Sequence, residues 1–281
     1  MKISGFTFCR NAVRYDYPLR ESIRSILPIV DEFIVNVGRC DDGTLELVRS
    51  IEDPKIRIVE SVWDDALQKD GLIYSQQTNI ALSLCTGDWA FYLQADEVVH
   101  EDDLPKIVDA TRAHLTNQKV KGLLFRYLHF VGDYRSTNPW FYHKAVRIIR
   151  NNGEIESCGD AVGFHLKSTG QYLQSGWEEW LAPSRGRIFH YGWVKGPRTL
   201  QAKKQEQTRV YHGDSPPPSE EKWLLQDHVV FEEYGILKTF RGTHPAVMAD
   251  RVAQYPILRP GRNRWLEPAF YRAVLKRGFR G

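Results

Sequence analysis

A mixed α/β fold organised around a mainly parallel sheet is the architecture this sequence predicts, and three observations carry the prediction. Four short apolar runs of β type are separated by segments of helical period, the signature of βαβ units. The chain has 281 residues, of which 42% are hydrophobic. That is enough to bury a sizeable core without disulfides or a structural metal. No apolar run approaches the roughly 20 residues needed to span a bilayer.

Ile3 to Phe8 reads as the first strand. It runs straight into Arg10 and Asn11, too short for a signal-peptide core and without a small-residue cleavage site. Pro18 to Leu27 has Leu19, Ile23, Ile26 and Leu27 on one helical face, and Pro18 suits a first turn. Phe33 to Val37 is a second strand. Asp42-Gly43-Thr44 then supplies a turn and an N-cap for a helix from Leu45 to Ile51. Ile56 to Val62 alternates like a strand, residues 75 to 85 look helical, and Trp89 to Leu93 is a buried strand after the Gly87-Asp88 turn. Asp102 or Asp103 can cap a helix with Leu104, Ile107, Val108, Thr111 and Leu115 on its face. Leu123 to Phe130, Lys144 to Arg150 and Arg187 to Val194 read as further strands. Pro197 opens a polar helix, Pro216-Pro217-Pro218 breaks it, and another helix runs from about Glu220 to Tyr234. A short helix near 266–277 is the last expected element.

Parallel sheets bind ligands outside the carboxyl ends of their strands. That rule points to Cys9–Asn11, Gly38–Asp42, Trp63–Asp65 and Gln94–Glu97. Charge and cysteines narrow the field further. A net charge of +3 is too small to argue for nucleic acid. It is also uneven: residues 251–281 hold eight basic residues and one acid, Glu267, while the first 250 residues sum to −4. Four widely spaced cysteines, with no Cys-x-x-Cys pair, argue against a disulfide framework or a zinc ribbon. Reduced thiols in a cytosolic protein are expected.

The strongest local signal is Trp89-Ala90-Phe91-Tyr92-Leu93-Gln94-Ala95-Asp96-Glu97, an apolar strand that ends in acids. Carboxylates there suit a divalent cation that bridges a diphosphate. A helix-capping acid after a buried strand is the plain structural alternative.

At these residues the chain resembles the family 2 glycosyltransferases of bacterial type, with the GT-A fold. Trp89 to Glu97 resembles the strand and DxD segment of that family, here in a Gln-Ala-Asp variant. Ile3 to Asn11 resembles the first strand and its nucleotide-binding turn. Phe33 to Thr44 resembles the second strand with its Asp-Gly-Thr, and Asn79 to Leu82 followed by Gly87-Asp88-Trp89 matches two further motifs. The likeness covers roughly residues 1–115 well and 140–200 more loosely.

The resemblance implies a mainly parallel GT-A sheet flanked by helices over residues 1–195. Residues 1–115 would form the nucleotide-sugar half and 116–195 the acceptor half, with 196–281 as a helical, basic extension. It implies transfer of a sugar from a nucleoside diphosphate sugar to a glycan, lipid-linked or surface-polysaccharide acceptor, with inversion and a divalent cation, Mn²⁺ or Mg²⁺. Phe8, Arg10, Asn11, Gly38 and Asp42 would line the nucleotide pocket with Gln77 and Asn79. Gln94, Ala95, Asp96 and Lys203 would reach the ribose and diphosphate. Asp96 and His190 would hold the metal.

Two departures from the pattern matter. Gln94 replaces the first acid, so the cation site loses one negative charge. Gly38-Arg39-Cys40 stands where many relatives place an Asp near the base, which leaves Asp41, Asp42 or Arg10 to recognise it. Lys195, Lys203 and Lys204 could meet the diphosphate; a solvated helix face is the alternative, more so for Lys204. The base that takes the acceptor proton is sought at Asp160, whose alternative is a turn residue, and at Glu178 and Glu179, between Trp177 and Trp180. Trp140, Phe141, Tyr142 and His143 form either a sugar-stacking wall or a buried hinge.

The basic tail, with Trp265, Phe270, Tyr271 and Phe279 among its arginines, suits the anionic surface of a membrane. The expected location is therefore cytoplasmic, with peripheral contact to the cytoplasmic membrane face through 251–281. No nucleic-acid recognition motif is present. Two rival readings remain: a nucleotidyltransferase, which should show a Gly-rich loop where Cys9-Arg10-Asn11-Ala12 stands, and a degenerate GT-A domain that binds without turnover, for which Gln94 is the best argument.

Overall fold

A computed structural model describes residues 1–64, 67, 69–174, 179–213 and 237–255, together with 271, 274 and 275. Four parallel strands form the nucleus: β1 (Ile3–Cys9), β2 (Glu32–Gly38), β3 (Ile56–Ser61) and β4 (Trp89–Tyr92). β1 lies between β2 and β4, with Cys9 opposite Val37 and Ile3 opposite Trp89. Helices α1 (Leu19–Ile26), α2 (Thr44–Arg49) and α3 (Leu72–Leu82) connect these strands.

Successive side chains of a strand point to opposite faces, and each face has its own cover. Ile3, Cys9, Phe33, Val35 and Phe91 pack with Leu19, Ile23 and Ile26 of α1, Val48 of α2, and Ile107 of α4 (Leu104–Ala113). Phe6, Ile34, Ala90 and Tyr92 pack on the other face with Ala81 and Leu82 of α3. The sheet then becomes mixed. β8 (Lys144–Arg150) runs antiparallel to β4 and carries β6 (Gly122–Val131), and β11 (Leu181–Trp193) lies parallel to β6. β5 (Glu97–Val99) pairs antiparallel with β11, and β9 (Ile155–Cys158) forms a hairpin with β10 (Gly163–Leu166).

After β11, α5 (Pro197–His212) crosses back over the carboxyl ends of the strands, where Asp70 N donates to Tyr211 O at 3.0 Å. The segment 237–255 also returns to the domain. Its β12 (Lys238–Thr239) pairs with β7 (Ser136–Thr137), while Met248 joins Phe130, Tyr134, Phe189 and Tyr191 in a third core cluster. Arg251 on α6 (Ala249–Gln254) is held by Asp16 at 2.7 Å and Glu21 at 3.0 Å.

Several boundaries differ from expectation. α3 begins at Leu72, three residues before the expected start, because Gly71 at φ +70° makes the turn into it. β11 begins at Leu181, where it pairs with Gly122 beyond the apolar run that marked its second half. Asp103 does not cap α4; its carboxylate binds Arg187 Nε at 2.7 Å and Lys106 Nζ at 2.7 Å. His100 instead caps the short 3-10 turn Glu101–Asp103 that leads into α4, accepting from Asp102 N. The helices expected at about 220–234 and 266–277, and most of the basic tail, lie outside the described residues. All four cysteines are free thiols. Among the described residues no helix is long and apolar enough to cross a membrane.

Candidate active site

The carboxyl ends of β1 and β4, the tail of β11 and helix α5 enclose a cleft of about 390 Å³. One wall is aromatic. Phe8 stacks on Tyr74 with ring centroids 5.7 Å apart, Trp63 lies 5.8 Å from Tyr74, and the Arg10 guanidinium sits 5.1 Å from the Trp63 centroid. Gly38 makes this possible, because a Cβ there would collide with the Trp63 indole. Asn11 follows β1 at φ +53°, a left-handed turn that asparagine tolerates.

The floor of the cleft is built around Asp96. Its loop is anchored to β11 by Tyr191 N, which donates to Asp96 O at 2.8 Å. Asp96 Oδ2 lies 3.6 Å from His190 Nε2 and 3.4 Å from Lys203 Nζ. Lys203 also donates to Gly192 O at 3.0 Å. Burial alone would raise the Asp96 carboxyl, but His190, Lys203 and Lys195 hold it at about 2. Burial lowers the His190 imidazole, against the pull of Asp96 and Glu97. Lys195, buried against the Tyr17 ring at 4.4 Å, is lowered to about 7 by burial and by the charge of Lys203. Gly192 is required at this point: a Cβ would strike Asp96 Oδ2 and stand 2.9 Å from His190 Nε2.

A buried ion pair supports this floor from below. Arg147 binds Glu97 through two bonds of 2.8 Å, and Tyr127 Oη donates to the same carboxylate at 2.8 Å. Both charges are fully buried, so their mutual satisfaction is what makes them tolerable there.

Asp160 faces the cleft from the turn after β9, between Gly159 at φ +57° and Ala161 at φ +61°. Three side chains fix this turn. Tyr211 Oη donates to Asp160 Oδ2 at 2.7 Å, Gln94 Nε2 donates to Ala161 O at 3.2 Å, and Arg147 Nη1 donates to Val162 O at 2.8 Å.

Of the residues expected to bind the nucleotide sugar, Phe8, Arg10, Asn11, Gln94, Ala95, Asp96 and Lys203 line the cleft, as do His190 and Asp160. The others do not. Gln77 is buried against Asn36 and Ser61, accepting from Asn36 Nδ2 at 2.9 Å and Ser61 Oγ at 2.6 Å. Asn79 clasps the backbone of Ser157 through both ends of its amide. Asp42 ties Arg14 N and Thr44 into the turn before α2, and Asp41 pairs with Arg14. Glu179 is exposed and away from the cleft, and Glu178 lies outside the described residues. Lys204 is buried rather than solvated. Phe141 and Tyr142 line the cleft; Trp140 and His143 do not.

Sequence reasoning missed Tyr15, Tyr17, Tyr74, His129, Glu206, Gln207 and Tyr211, all of which line the cleft. A histidine within the apolar Leu128-His129-Phe130 run was a usable signal, as were the polar residues one and two turns along α5 from Lys203.

A cation at Asp96 and His190 fits the side chains present. One carboxylate oxygen and one imidazole nitrogen face each other beside a cradle that a Cβ at position 192 would fill. Among the described residues no cluster of three His, Cys, Asp or Glu ligands forms. The donor set therefore suits a cation that completes its shell with diphosphate oxygens rather than one caged by protein.

The parallel nucleus, the mixed second half and a cleft over the strand ends define a GT-A glycosyltransferase scaffold. The family model described as glycosyl transferase family 2 matches residues 18–172, more than half of the chain, and the chain belongs to that family. No curated protein matches the sequence. Among solved structures, Staphylococcus aureus TarS is similar at 12% identity and a TM-score of 0.41, over 80% of this chain and 42% of that one. A shorter form, TarS 1-349 in complex with UDP, gives 11% identity and a TM-score of 0.39 over 80% and 70%. Glucosyl-3-phosphoglycerate synthase from Mycobacterium tuberculosis, in complex with Mn²⁺, UDP and phosphoglyceric acid, gives 17% identity and a TM-score of 0.32 over 46% and 43%. The chain thus spans less than half the length of full TarS and of the synthase.

Proposed function

We propose that this chain transfers a sugar from a nucleoside diphosphate sugar to an acceptor, with inversion at the anomeric carbon. The observation that supports it most is the convergence of Asp96, His190 and Lys203 on one point of an aromatic cleft at the strand ends. The base and ribose lie along Phe8, Arg10, Asn11, Trp63 and Tyr74, and the diphosphate lies over Asp96 and Lys203. When bound by Asp96 and His190, Mn²⁺ or Mg²⁺ supplies positive charge to the diphosphate as it leaves. Lys203 adds its ammonium to the same task. Asp160 takes the proton of the acceptor hydroxyl as the anomeric carbon gains oxocarbenium character. Phe141, Tyr142 and Trp193 offer rings on which a glycan or the sugar of a lipid-linked acceptor stacks.

A thermal-shift screen of nucleoside diphosphates and their sugars, with and without Mn²⁺, tests the donor half of this reading. A bound ligand raises the melting temperature with its occupancy, so one base and one sugar should stand out. No shift with any of them would remove the nucleotide-sugar assignment. With the donor known, Asp160→Asn should abolish transfer and leave donor binding intact; retained transfer would move the base to Glu206, the remaining carboxylate among the described residues that line the cleft. The basic tail brings the chain to an anionic membrane face on this reading. A variant with the seven basic residues from Arg259 to Arg280 replaced by Gln should float less with anionic liposomes, and equal flotation would discard the membrane contact.

A further inference from the structure

His129 on β6 and His190 on β11 are direct neighbours across the parallel strand pair. Their rings stand 4.9 Å apart, with His129 Nδ1 3.3 Å from His190 Nδ1. The other nitrogen of His129, Nε2, lies 2.8 Å from the backbone carbonyl oxygen of Tyr142. That oxygen can only accept, so His129 Nε2 carries the hydrogen. His129 is buried, with Tyr127 stacked on it and Phe141 and Tyr142 edge-on. Such surroundings favour an uncharged imidazole, whose Nδ1 then has a lone pair and no hydrogen.

The lone pair decides the tautomer of the next ring. Two bare nitrogens 3.3 Å apart would repel, so His190 Nδ1 carries a hydrogen and donates it to His129. His190 Nε2 is left with its lone pair, and it points toward Asp96 Oδ2 at 3.6 Å. Two acceptors facing each other are stabilised by a cation between them. The chain of polarity runs from the Tyr142 carbonyl through His129 to the cleft, and each link follows from the one before.

We infer that His129 is a positioning residue that fixes His190 as the Nδ1–H tautomer and so presents His190 Nε2 as a ligand for the divalent cation. The inference rests on the reading of Asp96 and His190 as the cation site. A hydrogen-bond partner on the far nitrogen sets which nitrogen of a ligand histidine is free to bind. Here that partner is an imidazole rather than a carboxylate, so no negative charge is added behind the metal ligand.

Two measurements test this. The first needs no metal: long-range ¹H–¹⁵N correlation spectra report which nitrogen of His190 is protonated. The wild-type chain should show Nδ1–H. His129→Asn keeps an acceptor oxygen near the old Nδ1 position and should keep that tautomer; His129→Leu has no acceptor and should shift His190 toward Nε2–H. An Nε2–H tautomer in the wild type, or the same Nδ1–H tautomer in His129→Leu, would overturn the inference. The second is Mn²⁺ binding in the presence of pyrophosphate, followed by the loss of the free-ion electron paramagnetic resonance signal. His129→Leu should bind about tenfold to a hundredfold more weakly, the range seen for second-sphere partners, and His129→Asn should recover most of the loss. Wild-type binding that survives in Asp96→Asn would overturn the cation site itself. Binding that is lost in Asp96→Asn and unchanged in His129→Leu would overturn the role of His129 alone.

Discussion

Gln94 Nε2 donates to the carbonyl oxygen of Ala161 at 3.2 Å, which ties the first position of the Gln-Ala-Asp run to the loop carrying Asp160. An aspartate at that position could not make this bond, because a carboxylate only accepts. The neutral amide joins the floor of the cleft to its far wall. Gln94→Asp should lower kcat by about tenfold, the equivalent of one hydrogen bond of roughly 1.4 kcal/mol, with little change in donor KM. It should bring no gain in Mn²⁺ response. Steady-state kinetics across a Mn²⁺ series checks this, and a rise in kcat would show that the amide is a handicap rather than a latch.

Gly192 has a second, independent consequence for the same floor. A Cβ at this position would press on Asp96 Oδ2 and on His190 Nε2, 2.9 Å away. Gly192→Ala should cost about 1–3 kcal/mol of stability, as overpacking does, and should weaken donor binding in proportion to the displacement of Asp96. Gly163→Ala, where a Cβ meets nothing within 4 Å, is the matched control and should leave binding unchanged. Chemical denaturation and donor titration of the two variants separate strain from site geometry.

The parts of this fold that were legible in the sequence are those whose signal is local. β1, β2, β3 and β4 are short apolar runs bounded by turns, and α1 shows its buried face through Leu19, Ile23 and Ile26. β5 is three residues long, too short to show a period, and its pairing with β11 is a tertiary choice. The first half of β11 contains Pro183 and Gly186, which weaken any strand signal. The site divides in the same way. Asp96 follows β4 at a strand end that the parallel-sheet rule marks in advance, whereas His190 lies within β11 and is singled out only by the family resemblance. Tyr15 and Tyr17 fall in an aperiodic turn. α5 was placed in an extension beyond residue 195, yet its Lys203, Glu206 and Tyr211 reach the cleft because the helix folds back over the strand ends. Gln77 and Asn79 carry motif-like spacing whose structural use, side-chain amides that lock α3 to its neighbours, is not visible until partners are known.

Glu97 and Arg147 provide the clearest stability test. Both are fully buried and bound to each other at 2.8 Å. Arg147→Met leaves the Glu97 carboxylate without its counter-charge and should cost about 3–5 kcal/mol, whereas the double replacement Glu97→Met with Arg147→Met should recover much of that loss. Urea titrations of the wild type, both single variants and the double variant complete the cycle. Additive losses would mean that the pair is not coupled and that Tyr127 and the Val162 carbonyl carry the network alone.

Lys195 gives the domain a pH dependence whose sign follows from its burial. Its ammonium, bonded to the Asp16 carbonyl at 2.9 Å, is lowered to about 7 from an ordinary 10.5 by burial and by Lys203, against the attraction of Asp96 and Asp16. Between those values the unfolded chain holds a proton that the folded chain has given up. Stability therefore rises with pH across this window, by at most about 1.4 kcal/mol for each pH unit. Below about 7 both states are protonated and the penalty is fully present; above 10.5 neither is, and it vanishes. Lys195→Met lacks the term. It loses the bond to Asp16, a cost that does not change with pH, so the slope rather than the offset is diagnostic. Stability curves of wild type and variant, compared at about pH 6 and about pH 9, should show the variant favoured more at the lower value. A gap that stays constant between the two would place the charge of Lys195 in solvent-like surroundings and remove it from the positive cluster around Asp96.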